Sequence, residues 1–317
     1  MNVLLWHVHG SWTTALVQGR HRYLLPLLPG RGADGRGRAR TWDWPDSAVE
    51  LAPDALRNEE VDAVILQRPH ELDLVERWLG RRPGRDLPAL YLEHDAPQGE
   101  IGSMRHPLAG RADIPVVHVT HFNDLFWDCG RAPTRVVEHG VVDPGYRYSG
   151  ELPRSAVVIN EAPRRGRVVG LDLLPRLGAE VPIDLFGMGN AGTSAPPAGL
   201  RTDDLPQARL HAEMPRRRLY VHPYRWTSLG LALIEAMHLG MPVVALGTTE
   251  AAEAVPAEAG VVSTDLEVLG RAVRRLAADP DEARAMGRAA RAAAIARYSA
   301  SRFLADWDRL LDEVTRR

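Results

Sequence analysis

The chain of 317 residues carries 39 Lys plus Arg against 41 Asp plus Glu, a formal net charge of -2, and so lacks the basic excess that marks nucleic-acid partners. It contains no lysine, which makes all 39 basic residues arginines and excludes Schiff-base chemistry on a lysine amine. The lone cysteine, Cys129, rules out an internal disulfide and, beside Phe126 and Trp127, reads as a small buried thiol rather than a nucleophile.

Such a length suits two domains of about 150 residues, and the 45% hydrophobic content is enough for two cores. In chain order, nearly continuous apolar runs at Val3 to Val8, Tyr23 to Leu28, Val61 to Leu66, Leu87 to Leu92, Pro115 to Val119 and Thr134 to Val137 predict strands covered on both faces, hence a parallel sheet. Helices are predicted between them over Leu72 to Leu79 and Phe122 to Cys129. The arginine- and glycine-rich stretch from Pro29 to Arg40 reads as a mobile loop; its four arginines suit an anionic acceptor, although a solvated surface loop accounts for them as well. Trp42 and Trp44 can stack on a sugar face or equally fill the core.

Periodicity stops over the Pro- and Gly-rich segment Asp143 to Pro153, where a linker is predicted. A second α/β pattern follows: strands at Ala156 to Ile159, Ile183 to Phe186, Leu219 to His222, Pro242 to Leu246 and Gly260 to Val262, with helices near Val168 to Leu177 and over Leu229 to Leu239. Two more helices close the chain, Asp281 to Tyr298 and one capped by Ser301 whose Phe303, Trp307, Leu310, Leu311 and Val314 share a face. The predicted domains are 1–148, 149–298 and a C-terminal helix, 299–317. The N-terminus has no charged n-region or cleavage site, and no apolar run approaches the roughly 20 residues that span a bilayer. A cytoplasmic protein is expected, with at most peripheral membrane contact.

The stretch Thr227-Ser-Leu-Gly-Leu-Ala-Leu-Ile-Glu235 leading to Gly240-Met-Pro242 predicts a helix capped by Thr227 or Ser228 and closed at Gly240. Its first turn, at Ser228, Leu229 and Gly230, would offer free N–H groups and partial positive charge to a diphosphate, with Gly230 permitting close approach. The helix is apolar all round, so Glu235 is a buried carboxylate that needs partners; ribose hydroxyls and an arginine ion pair serve equally.

This stretch resembles the donor-site signature of the retaining GT-B glycosyltransferases of group 1, also called family 4, in which an acidic residue, seven intervening residues and a second Glu precede a Gly-x-Pro-Val-Val strand. Glu235, Ala236, Gly240, Pro242, Val243 and Val244 match that pattern. The resemblance implies an α/β fold of two Rossmann-like domains facing a cleft, with the last helix often crossing back to the first. It also implies sugar transfer from a nucleotide-diphosphate sugar, with retention, without metal and without a cofactor beyond the donor. It gives Glu235 the donor ribose. The family's first acidic residue is Thr227 here, at the sugar-side position assigned to catalysis.

Upstream, Val157-Val-Ile-Asn-Glu-Ala-Pro-Arg-Arg-Gly166 resembles the family's diphosphate-gripping segment, with Arg165 at the Lys position; the earlier Arg position falls on Ile159 or Asn160, and Arg164 is the alternative contact. Gly187-Met-Gly189-Asn-Ala-Gly192 fits G-x-G-x-x-G after a strand, but the following residues 193–199 cannot open a helix and no acidic residue stands about 20 further on, so a nicotinamide site is rejected. In the resembled family a similar loop, at Gly187 here, lies near the nucleotide. In the first domain, Gly10 and Ser11 match the donor-side glycine loop, and His94 resembles the strand-end histidine near the reacting sugar, the candidate catalytic residue of that domain. The pairs His7 with His9 and His118 with His121 lack a third ligand at metal-site spacing. The family's glycine pair is replaced around Thr248-Thr249-Glu250. A non-catalytic nucleotide-binding module of the same fold and a sugar-nucleotide epimerase are the competing readings.

Overall fold

The computed structural model describes residues 1–179, 181–190 and 201–316, and in it the short apolar runs become two parallel sheets. The chain divides into two units, Met1–Val142 with Ala300–Arg317, and Asp143–Ser299. Gly192 and the stretch 193–199 lie outside the described residues.

The first unit runs β1 (Asn2–Leu5), α1 (Gly10–Leu16), β2 (Arg22–Pro26), β3 (Ala48–Leu51), α2 (Pro53–Leu56), β4 (Ala63–Leu66), α3 (Glu71–Leu79), β5 (Ala89–Glu93), β6 (Val116–His118), α4 (His121–Phe126) and β7 (Thr134–Val136). The strand order is β3-β2-β1-β4-β5-β6-β7, all parallel. It reverses direction between β1 and β4, the switch point where open α/β sheets bind ligands at the carboxyl ends of their strands. Every residue of β4 and β5 is buried, as the unbroken apolar runs require of strands with both faces covered.

The second unit runs β8 (Leu152–Val158), α5 (Ala162–Arg165), α6 (Leu174–Leu177), β9 (Ile183–Phe186), β10 (Arg201–Asp203), α7 (Gln207–Glu213), β11 (Arg217–His222), α8 (Leu231–Leu239), β12 (Val243–Leu246), α9 (Ala251–Ala254), β13 (Gly260–Ser263), α10 (Leu266–Ala278) and α11 (Pro280–Tyr298); α12 (Ala300–Thr315) belongs to the first unit. The order β10-β9-β8-β11-β12-β13 repeats the Rossmann arrangement, with its switch point between β8 and β11.

Several predicted elements differ in the structure. The helix expected over Val168 to Leu177 is a series of tight turns ending in α6, because Gly166 and Gly170 adopt positive φ and a Cβ on Gly170 would overlap the Pro223 carbonyl. α4 stops at Phe126 because Trp127 leaves the helix to bury its indole, which donates to the Asp95 carbonyl at 2.8 Å. α12 begins at Ala300, placing Ser301 inside the first turn rather than at the cap. Its five apolar residues are buried as predicted. Trp307 meets Trp12 of α1 edge-on at 5.4 Å, and Phe303 does so at 6.0 Å.

The glycine-rich stretch from Pro29 to Arg40 is a folded ribbon, not an unstructured loop. Arg36 bridges Leu27, Leu28 N–H donates to Gly35, and Gly37 N–H to Pro26. The Arg31 guanidinium forks onto Glu50 at 2.9 and 3.2 Å, and Arg38 donates to the carbonyls of Pro45 at 3.1 Å, Ala48 at 2.7 Å and Trp44. Trp44 is core: its indole is buried and donates to Thr14 Oγ1 at 2.8 Å.

Candidate functional site

At the second unit's switch point the loops after β8, β9 and β11 are locked together by side chains. Asn190, buried, donates to the carbonyls of Ile159 at 2.7 Å and Gly187 at 2.9 Å, while its Oδ1 accepts the Ala162 N–H at 2.9 Å. Asn160 Oδ1 accepts Met188 N–H at 3.0 Å. Gly187 sits at φ +128°, and a Cβ there would overlap the Ile159 carbonyl. The site therefore needs this glycine for close approach of two strand-end loops, a requirement of the protein's own backbone.

Arg165, at the end of α5, lies over the Tyr224 ring, 5.5 Å from its centroid, and Tyr224 donates its hydroxyl to the Val158 carbonyl at 3.1 Å. Arg164 pairs with Glu161 at 2.6 Å, whereas the Arg165 guanidinium has no carboxylate partner among the described residues. An unneutralised arginine packed on an aromatic face at a switch point is a ready anion ligand. Arg225 and Trp226 donate their N–H groups to Val168, and Arg225 forks onto Asp172 at 2.5 and 2.9 Å, which ties the loop before α8 to the turns after α5.

The cap of α8 is Gly230, without a side-chain hydrogen bond, so Thr227 and Ser228 do not cap this helix and it starts at Leu231. Ser228 and Leu229 are buried in the approach, and Thr227 is half-buried with no side-chain hydrogen bond among the described residues. A Cβ on Gly230 would stand 2.8 Å from Cε1 of His222; the missing side chain makes room for that imidazole, a requirement the sequence alone does not show. His222 stacks on Tyr224 at 4.6 Å. Four residues into α8, Glu235 is buried, and its Oε2 accepts from Gln207 Nε2 at 2.8 Å and lies 3.3 Å from His211 Nε2. Both come from α7, an element that sequence reading missed.

Beyond β12, Thr248 Oγ1 donates to the Tyr224 carbonyl at 2.6 Å, and Thr249 is held at φ +52°. A β-branched residue in the left-handed region is strained. Thr249→Gly is expected to raise unfolding free energy by about 1 kcal/mol, measured by urea denaturation; a loss of stability would refute the strain.

In the first unit Gly10 and Ser11 form the first turn of α1 rather than an open loop. His94, just after β5, lies against His9 with the rings tilted and their centroids 3.8 Å apart, receives the edge of Trp12 at 5.3 Å, and is parallel to His139 at 6.3 Å. Its Nε2 has no hydrogen-bond partner among the described residues. Burial holds His94 well below its ordinary pKa and takes His139 down to about 3; His222, in the second unit, likewise falls to about 3. His118 reaches about 4 and contacts Cys129 Sγ at 3.5 Å, whose thiol burial pushes up to about 12. Each such imidazole is neutral when folded but titrates at its ordinary 6.5 when unfolded, so the unfolded chain binds more protons between those values. Stability is complete above pH 6.5 and falls as pH drops toward 3, by about 1.4 kcal/mol per pH unit for each imidazole. Acid titration of unfolding checks this; a flat profile from pH 6.5 to 4.5 would contradict it. Among the described residues no group of three or more His, Cys, Asp or Glu could hold a metal ion, and no helix is long and apolar enough to cross a membrane.

Residues 202–293 match the glycosyl transferases group 1 family. The matched segment lies in the second unit and includes Gln207, His211, Thr227, Gly230 and Glu235, with Arg165 and Gly187 upstream of it. No curated protein sequence matches the chain. Among solved structures it is similar to sucrose-phosphate synthase from Thermosynechococcus elongatus, at 14% identity and TM-score 0.74 over 99% of both chains. It is also similar to HepE from Anabaena in complex with UDP-glucose, at 15% identity and TM-score 0.70 over 99% of this chain and 100% of that one. A glycosyltransferase from Rickettsia africae matches at 13% identity and TM-score 0.69 over 99% and 98%. The fold is that of the GT-B glycosyltransferases, two Rossmann-like units in one chain.

Proposed function

We propose that the protein transfers a sugar from a nucleotide-diphosphate sugar to an acceptor, with the donor bound at the switch point of the second unit. The observation that carries this reading is Arg165, an arginine without a carboxylate partner among the described residues, placed on Tyr224 beside the segment that matches group 1 and holds buried Glu235 in α8. In this reading Arg165 and the N–H groups at the start of α8 hold the diphosphate, Glu235 takes the ribose hydroxyls, and the loop at Gly187 borders the nucleotide. Neutralising the departing diphosphate is then the main contribution to rate. Retention of configuration and transfer without a metal or a further cofactor belong to the same proposal, as do a place for the acceptor on the first unit, His94 as that unit's catalytic candidate, and Gly10 and Ser11 as its contacts to the donor.

A thermal-shift screen of the full chain against UDP, GDP and TDP tests donor binding, because a ligand of the folded state raises apparent stability. One nucleotide is expected to stabilise preferentially, and Arg165→Ala to weaken it about tenfold or more, the worth of one charge-assisted hydrogen bond. No shift with any nucleotide would sink the reading. Thr227 favours a second one: a half-buried hydroxyl without a hydrogen-bond partner among the described residues stands at the family's acidic position, as in a module that binds nucleotide without turnover. Hydrolysis or transfer from any of a panel of donor sugars decides against that module.

A further inference from the structure

The first unit contains a pocket of about 390 Å³ lined by His7, Arg31, Arg36, Arg38 and Arg40 together with the backbone around Pro29. It lies at the carboxyl end of β1, beside the switch point of that sheet, where open α/β sheets take ligands. The ribbon that walls it is built rather than incidental. Glu50 Oε1 accepts the Arg38 N–H at 2.7 Å as well as the Arg31 guanidinium, Gly37 sits at φ +64° against that same carboxylate, and His7 Nδ1 meets the Gly37 carbonyl at 3.1 Å. A Cβ on Gly35 would come within 2.5 Å of Leu28, so the fold of the ribbon depends on its glycines.

The arginines divide into two kinds. Arg31 and Arg38 are spent on structure, one neutralised by Glu50 and the other on three carbonyls. Arg36 and Arg40 are exposed, and among the described residues their guanidiniums have neither a carboxylate nor a side-chain hydrogen-bond partner. The pocket is thus lined by four arginines and no carboxylate, and burial lowers the pKa of its histidine. Trp42, just beyond the ribbon, is half-buried, and its indole nitrogen lies beside Gly10 together with the His7 ring.

We propose that this pocket binds a phosphate monoester, Arg36 and Arg40 forking onto its oxygens, and that the acceptor is consequently a phosphorylated molecule. The assignment of the ligand to the acceptor role rests on the glycosyltransferase reading above; the anion site itself does not. A phosphate monoester offers three oxygens and close to two negative charges at neutral pH, which two planar forks satisfy better than they satisfy a carboxylate. The phosphate can belong to a soluble sugar phosphate or to a lipid headgroup.

Calorimetric titration of the full chain with glucose 6-phosphate, glucose and glucuronate, and co-sedimentation with phosphatidylcholine vesicles with and without phosphatidate, test the site. The phosphate-bearing probe is expected to bind at least tenfold more tightly than glucose or glucuronate. The double variant Arg36→Ala/Arg40→Ala should weaken it at least tenfold, while Arg77→Ala, an exposed arginine of α3, should leave it unchanged. Glucose 6-phosphate binding identifies a soluble acceptor, and phosphatidate-dependent sedimentation a lipid one; either outcome, if lost in the double variant, supports the proposal. Binding of neither probe, equal binding of glucuronate, or wild-type binding by the double variant overturns it. Titration with UDP separates the two readings: phosphate binding without nucleotide binding leaves the anion site standing and removes the acceptor role.

Discussion

Gly187→Ala is expected to cost about 3 kcal/mol or more of unfolding free energy, with a fall in Tm on the order of 10 °C. The φ of +128° is a region that residues with a Cβ rarely enter, and the added carbon would overlap the Ile159 carbonyl while approaching Asn160 Oδ1 to 2.9 Å. Neither neighbour can give way cheaply. Ile159 O accepts from Asn190, and Asn160 Oδ1 accepts from Met188, so moving either opens the lock between the loops after β8 and β9. Gly166→Ala is the control, since Gly166 also has positive φ, +49°, yet no atom lies within 4 Å of a Cβ there; its cost should be about 1 kcal/mol. Equal losses for the two variants in urea denaturation would show that backbone conformation alone, and not the overlap, constrains Gly187.

Glu235→Ala is expected to abolish the nucleotide-induced thermal shift, a loss of affinity of about 100-fold, roughly what removing two charge-assisted hydrogen bonds entails. The carboxylate can accept about four hydrogen bonds, and Oε2 serves Gln207 and His211, so its deletion also removes an acceptor shared by two side chains of α7. That second effect should lower the stability of the ligand-free protein by about 1 to 3 kcal/mol. The two are separated by comparing ligand-free Tm with the shift at saturating nucleotide. Glu235→Gln, which keeps the side chain's volume and an acceptor oxygen, should recover most of the ligand-free stability while leaving binding impaired. A normal shift in Glu235→Ala would remove this residue from the donor site.

How far the fold was legible depends on where each strand lies. The central strands β4, β5, β8, β11 and β12 announce themselves as apolar runs because both faces are covered. The two strands missed, β3 and β10, hold the same edge position in their sheets, and β10 is exposed throughout its Arg-Thr-Asp sequence; pairing to one neighbour needs little apolar surface. The helix α8 was predicted to its C-terminal residue, since Gly240 takes the left-handed conformation after it. Its start was not, because Thr227 and Ser228 have capping side chains while the chain places Gly230 at the cap to clear His222.

The sequence by itself determined that this protein has two parallel α/β units, a buried all-apolar helix carrying Glu235, and an apolar face on the last helix, because hydrophobic periodicity and glycine stops are local properties. Only the tertiary structure decided which groups meet. The partners of Glu235 come from a helix 28 and 24 residues away along the chain, Arg165 acquires Tyr224 from a different strand end, and the glycine-rich stretch between β2 and β3 becomes an arginine-walled pocket through Glu50 and backbone carbonyls. Those contacts arise from strand order, and in a sheet that reverses direction at its switch point the residues brought together are distant in sequence, where no local pattern records them.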